Sequence, residues 1–185
     1  MYIYQIEDDI EIKLFTYNMK DKIKNFYCGN DALDKFIQHD ALSSDKYEDY
    51  RTYVFVLKDQ IIGYFALSAK GMTMSIGPQY FNMPAIELSY FALDEQYHHI
   101  YYDEEAEKDN DRFYLSDVLL IKILTYIKEK IYPLVGIRYI TLYSVPLAED
   151  LYRRNDFVDF ESVMLHENKS YLDGCIPLYT RLCKI

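Results

Sequence analysis

The chain is 185 residues long, half of them hydrophobic and 17% aromatic, with 21 Tyr, 10 Phe and no Trp, which is enough apolar material for a full core. Six Gly and five Pro exclude a collagen-like, linker-like or low-complexity chain. Twenty Lys+Arg against thirty Asp+Glu leave a net charge of -10, which opposes whole-surface attraction to nucleic acid or anionic membrane, since both are polyanions.

The first predicted element is a strand around Ile10–Tyr17, where Ile10, Ile12, Leu14 and Phe15 interleave with polar residues. A helix follows, with Asn30 or Asp31 as its cap, Asp34 in its first turn, and Leu33, Phe36, Ile37 and Ala41 on one face. The polar stretch Ser43–Asp49 reads as a loop. Arg51–Leu57 and Ile61–Ser68, joined by Lys58-Asp59-Gln60, form a hairpin pattern. Gly77-Pro78 breaks the chain before Ala85–Leu93, a run apolar enough for a central strand. Asp94–Asp111, with the acidic cluster Asp103-Glu104-Glu105, reads as a solvated loop.

From Leu115 the period becomes helical through Val118, Leu119, Ile123, Tyr126, Ile127 and Ile131, with Asp117, Lys128 and Glu129 largely on other faces. Pro133 helps to stop that helix. Tyr139–Ser144 is a short strand, Pro146 opens a second helix through Arg154, and Val158–Leu165 and Ile176–Leu182 are the final strands. The order predicts an α/β (α+β) fold, a mixed, mostly antiparallel sheet flanked by helices, in one domain over residues 1–185.

No stretch approaches the roughly 20 apolar residues of a membrane-spanning helix. The opening Met1–Asp9 lacks the basic and apolar regions of a secretory signal. Cys28, Cys175 and Cys183 form no CxxC pair, and His98-His99 offer no ligand spacing, so no metal site is expected. These features predict a soluble, reduced, cytoplasmic protein without a membrane partner.

Four segments carry a family resemblance. Phe26–Ile37 is similar to an "F-x-C-G-N-x-x-L-D-x-F" opening, Ile86–Asp94 to a central strand ending in "L-A-V-D", Ala148–Phe157 to "A-x-x-F-Y-x-x-x-G-F", and Pro177–Leu182 to "P-M-Y-L-x-L". Their order and spacing resemble the GNAT superfamily of acetyl-coenzyme A-dependent N-acyltransferases, in the branch that includes toxins acetylating aminoacyl-tRNA. The resemblance implies acetyl-CoA as co-substrate. It implies a sheet splayed beside the fourth strand, where backbone groups of Phe91, Ala92 and Leu93 pair with the pantetheine arm. The helix opening at Leu115 would face the pyrophosphate.

Here the chain departs from the family, whose Q/R-x-x-G-x-G/A loop brings backbone amides against the phosphates. No glycine lies between Gly77 and Gly136; Tyr114-Leu115-Ser116 stand in place of G-x-G/A, with Arg112 near the Q/R position. The tyrosine ring is expected to crowd the phosphates, and Ser116 to fit.

The resemblance makes Tyr152 the general acid that protonates the departing thiolate; the alternative is a tyrosine packing a helix on the sheet. Glu87, a carboxylate on a central strand, reads as a general base for an incoming ammonium, or as a strand glutamate on a solvated face. Arg153 and Arg154 suit phosphates or salt bridges with acidic neighbours. Cys28 at a helix start would have a stabilised thiolate, although the resemblance treats it as structural. Tyr80–Phe81 and Tyr97–Tyr102 read as tyrosine-rich strands, a stacking surface or aromatic filler.

Two functions stay open: an N-acetyltransferase acting on a primary amine of a small molecule or protein, and a GNAT-fold module that has lost coenzyme A. The charge disfavours aminoacyl-tRNA as acceptor. The resemblance also allows a homodimer and an antitoxin partner.

Overall fold

Seven strands build the sheet in the computed structural model, which describes residues 1–46, 50–164 and 172–182. They are β1 (Glu11–Leu14), β2 (Arg51–Leu57), β3 (Gln60–Ile76), β4 (Gln79–Leu93), β5 (Tyr139–Ser144), β6 (Val158–Asp159) and β7 (Ile176–Arg181). Their order across the sheet is β1-β2-β3-β4-β5-β7-β6. The β1–β2, β2–β3, β5–β7 and β6–β7 pairs are antiparallel and β4–β5 is parallel. The mixed, mostly antiparallel sheet and the central place of Ala85–Leu93 are thus as the sequence predicts. Helix α4 (Leu115–Tyr126), extended by a π-turn at Ile127–Ile131, makes the crossover between the parallel strands.

The chain divides into two compact units, Met1–Ser68 with Ser89–Leu119, and Ala69–Leu88 with Leu120–Ile185. Neither unit is one sequence segment, because β3, β4 and α4 each run from one into the other. In the first unit, Asn30 caps α1 (Asp31–Lys35), its side-chain oxygen accepting from the Ala32 and Leu33 N–H groups at 3.0 and 3.2 Å. A π-turn at Phe36–Asp40 continues into α2 (Ala41–Lys46). Residues 43–46 are therefore helical rather than loop, and 47–49 lie outside the described residues. Packing drives the extension: Phe36, Ile37 and Ala41 are buried with Val54, Tyr64 and Ala66 in one core. The Tyr64 hydroxyl donates to the Leu33 carbonyl at 2.8 Å, tying that helix to the sheet.

The predicted β2–β3 hairpin forms, turning through Lys58 (φ 47°) and Asp59 (φ 71°), and the side chain of Lys22 pairs with Asp59. Both central residues are left-handed, which matches the twist of the flanking strands. Gly63 is required where it stands: a Cβ there would lie 2.8 Å from the Ala92 carbonyl oxygen. The hairpin continues further than its hydrophobic run suggests. β3 reaches Ile76 and β4 begins at Gln79, six residues before Ala85, because Gly77 (φ 60°) lets the chain reverse at once.

Three further expectations change. Asp94–Asp111 is not all loop: a 3-10 turn spans Glu95–Tyr97, and α3 (Glu104–Lys108) is capped by Asp103, which accepts from the Glu105 and Ala106 N–H groups. The acidic cluster stays in solvent at a helix start that favours negative charge. Tyr97–Tyr102 is no strand; Tyr97 is buried and Tyr101 makes a single bridge to Tyr114. In the second unit, strand pairing after Val158 stops at Asp159, whose carboxylate accepts from the Glu161 N–H at 2.7 Å and bends the chain into a 3-10 turn at Glu161–Val163. Leu165 lies outside the described residues, as does Cys183. Met72, Ala85, Tyr139, Phe160 and Met164 form the core of that unit.

Candidate active site

Glu87 is placed by the parallel ladder, opposite Thr141 of β5. Thr141 and Tyr143 are two apart on β5 and share a face. With Lys70, Met72, Phe160 and Met164 they line a cavity of about 340 Å³ that lies wholly in the second unit. Glu87 is half-buried and lines this cavity. Burial, and then the charge of Glu87, raise the Tyr143 hydroxyl above its ordinary pKa, which places the carboxylate within electrostatic reach of that phenol. Glu87 is thus neither sealed in the core nor on an open face.

Tyr152 sits in the same unit on α5 (Glu149–Arg154), which follows a 3-10 turn at Pro146–Ala148. It is buried edge-on against Phe157, with ring centroids 5.7 Å apart, and is not one of the cavity-lining residues. Burial raises its pKa, so the phenol holds its proton at neutral pH. Arg153 takes the structural option: it bonds Glu149 at 2.7 Å and approaches Asp159 at 3.8 Å. The Cys28 thiol moves opposite to the helix-start expectation. Burial, then a hydrogen bond with Asp34, push it up to about 12.

The coenzyme candidates fall in the first unit. Phe91 is half-buried while Ala92 and Leu93 are buried. The Ala92 carbonyl is packed against Gly63 and the Leu93 carbonyl meets His98 Nε2 at 2.8 Å. The register of β4 with β5 covers Ala85–Glu87. At the start of α4, the Tyr114 N–H donates to Asp117 Oδ2 at 3.0 Å and the Leu115 N–H to the Ile100 carbonyl at 3.2 Å. Two of the amides expected to face a pyrophosphate are therefore engaged within the chain. Asp117, expected off the apolar face of the helix, is fully buried. The side chain of Tyr114 packs edge-on against His99 and Tyr101, each at 5.4 Å between centroids. Arg112 is exposed and Ser116 half-buried.

Sequence reasoning missed the segment that joins these parts. His98 holds the Leu93 carbonyl, His99 packs on Tyr114, and Ile100 accepts from Leu115. His99 has φ 54°, which turns the chain between the two contacts. The detectable signal was the spacing Tyr114-x-x-Asp117, an acidic residue at the third helical position, which reaches back to the cap N–H as in half of a capping box. Phe160 and Met164 carried no local signal, because only tertiary packing brings them beside Glu87.

No protein-family model matches the chain, and no curated protein matches it. Among solved structures, the chain is similar to AtaTR bound with acetyl-CoA, at 17% identity, TM-score 0.70 and coverage of 96% of each chain. It is similar to a tyrosine-to-phenylalanine mutant of KacT, at 18% identity and TM-score 0.68, over 95% of this chain and 96% of that one. It is also similar to a mutant AtaT toxin bound to the C-terminus of the antitoxin AtaR and acetyl-CoA, at 17% identity and TM-score 0.64, covering 96% of each. The chain therefore has the fold of the AtaT and KacT structures.

Proposed function

We propose that this chain is an acetyl-CoA-dependent N-acetyltransferase that moves the acetyl group to a primary amine by direct attack. The observation that carries this reading is the fold shared over 96% of the chain with AtaTR, which was solved with acetyl-CoA. In this scheme Glu87, open to water on one side, takes a proton from the incoming ammonium. The neutral amine then attacks the acyl carbon, the carbon–sulfur bond breaks, Tyr152 supplies the proton the departing sulfur needs, and the surplus proton on the new amide nitrogen is released as the Tyr152 phenolate is reprotonated. Its raised pKa makes Tyr152 a hydrogen-bond donor to that sulfur first and a full acid second. Backbone groups of Phe91 and Leu93 would carry the pantetheine, and Arg112 and Ser116 the phosphates, with Ala92, Tyr114 and Leu115 shaping that path.

The engaged amides and the buried carboxylate at the α4 start predict weak coenzyme binding. In two of the similar structures the AtaT toxin is bound to the C-terminus of the antitoxin AtaR; an antitoxin partner is proposed here by that likeness. The net charge of -10 favours a cationic acceptor over a tRNA.

Thermal-shift titration with acetyl-CoA tests the reading, because a ligand of the native state raises its melting temperature by mass action. A rise is expected, with mass-spectrometric detection of acetyl transfer to amine acceptors. A flat response up to millimolar coenzyme would leave a binding module with the GNAT fold.

A further inference from the structure

The cavity beside Glu87 has a composition that selects a ligand. Its volume of about 340 Å³ is near the lower end of small-molecule sites, which run about 300–1,000 Å³, so it takes one compact group. Its inner wall is apolar: Met72, Phe160 and Met164 are each less than 8% exposed. Two thioethers and a ring make a polarizable wall that fits apolar groups of varied shape. The wall is fixed in place. Met164 bridges to Met74, the Phe160 N–H donates to the Pro177 carbonyl at 3.2 Å, and the Phe160 ring lies 5.9 Å from Tyr179 and 6.3 Å from Tyr143.

The polar end carries the Glu87 carboxylate, the buried Thr141 beside it and the Tyr143 phenol. A cation there meets a carboxylate, in a lining that also holds the Tyr143 and Phe160 rings. Among the described residues Lys70 is the one basic residue in the lining, and it is exposed, so water and salt screen its charge more than that of half-buried Glu87.

We propose that this cavity is the acceptor seat, and that it takes a primary ammonium attached to a compact apolar, thioether or aromatic group, with the ammonium at Glu87 and the apolar group against Met72, Phe160 and Met164. The proposal rests on the N-acetyltransferase reading for the word acceptor; the binding chemistry stands on the cavity alone.

Calorimetry on the full chain tests it, with and without saturating coenzyme A. The probes are 2-phenylethylamine, 2-(methylthio)ethylamine and, as the anionic counterpart, phenylacetate. Both amines are expected to bind at least tenfold more tightly than phenylacetate. Glu87→Gln should weaken the amines at least tenfold, and Lys70→Gln should leave them unchanged or tighten them. Phenylacetate binding as well as the amines, Lys70→Gln abolishing amine binding, or no amine binding in either condition would overturn the proposal, none of which depends on the Glu87 variant folding. Amine affinity unchanged in a folded Glu87→Gln protein would also overturn it. Thermal shift with acetyl-CoA on the same samples separates the two readings. Amine binding without a coenzyme response removes the acetyltransferase and keeps the cavity; a coenzyme response without amine binding does the reverse.

Discussion

Asp117→Asn at the start of α4 isolates one charge at the place where coenzyme phosphates are proposed to bind. Asp117 is fully buried and accepts the Tyr114 N–H at 3.0 Å. Asparagine keeps an oxygen for that N–H and replaces the charged carboxylate with a neutral amide. A phosphate held at Ser116, one residue away, would lie roughly 7 Å from the carboxylate, and at an effective dielectric constant of about 20 the repulsion is about 2 kcal/mol per unit charge. Partial screening by water leaves about 1.4 kcal/mol, so acetyl-CoA should bind about tenfold more tightly to the variant. The exchange of a charge-assisted hydrogen bond for a neutral one should lower stability by about 1 kcal/mol. Isothermal calorimetry gives the first quantity and urea unfolding the second. Unchanged affinity in the folded variant would refute the electrostatic reasoning. Weaker binding would show that the carboxylate cap builds the phosphate seat rather than obstructing it.

Tyr152→Phe should lower kcat by roughly 10²–10⁴-fold with KM little changed, the range for losing a proton donor; the ring stays packed on Phe157, so unchanged turnover in steady-state assays would return Tyr152 to a packing role. Burial raises the phenols of Tyr64 and Tyr152 above the ordinary value of 10.0. The unfolded chain therefore loses these protons first as pH rises. Their contribution is complete below pH 10 and declines above it, by up to about 1.4 kcal/mol per pH unit for each phenol; denaturant midpoints at about pH 8 and about pH 11 should differ accordingly, and equal midpoints would contradict it. The Thr52 hydroxyl is buried without a hydrogen-bond partner among the described residues, so Thr52→Val should raise stability by about 1 kcal/mol, measured by urea unfolding, and a loss would show that the hydroxyl is paired through water.

Local chemistry made much of the fold readable. The Asn30 cap, the Lys58-Asp59 turn and the helical period from Leu115 are each set by residues a few positions apart, and each forms as the sequence predicts. The apolar run Ala85–Leu93 identified a central strand because a strand covered on both faces needs apolar residues at every position. The same logic failed where distant partners decide. Residues 43–46 look like loop but continue a helix whose earlier turn packs on Tyr64, and Val158–Leu165 looks like one strand but ends at an Asp159 turn.

The candidate site divides along the same line. Motif order pointed to Tyr152, Phe91–Leu93 and Tyr114–Ser116, because those residues sit at fixed spacings from strand ends and helix starts, and a carboxylate on a central strand pointed to Glu87. The state of those groups was beyond the sequence. Only the folded chain places the Leu93 carbonyl on His98, the Tyr114 amide on a buried Asp117, and Glu87 on a cavity walled by Met72, Phe160 and Met164. Hydrogen-bond competition and burial depend on groups brought together from far along the chain: 72 and 164 are distant in sequence but line one wall. Spacing and period determined the elements of this protein; contacts across the chain decided which amides are engaged, which carboxylate is buried and what the cavity can hold.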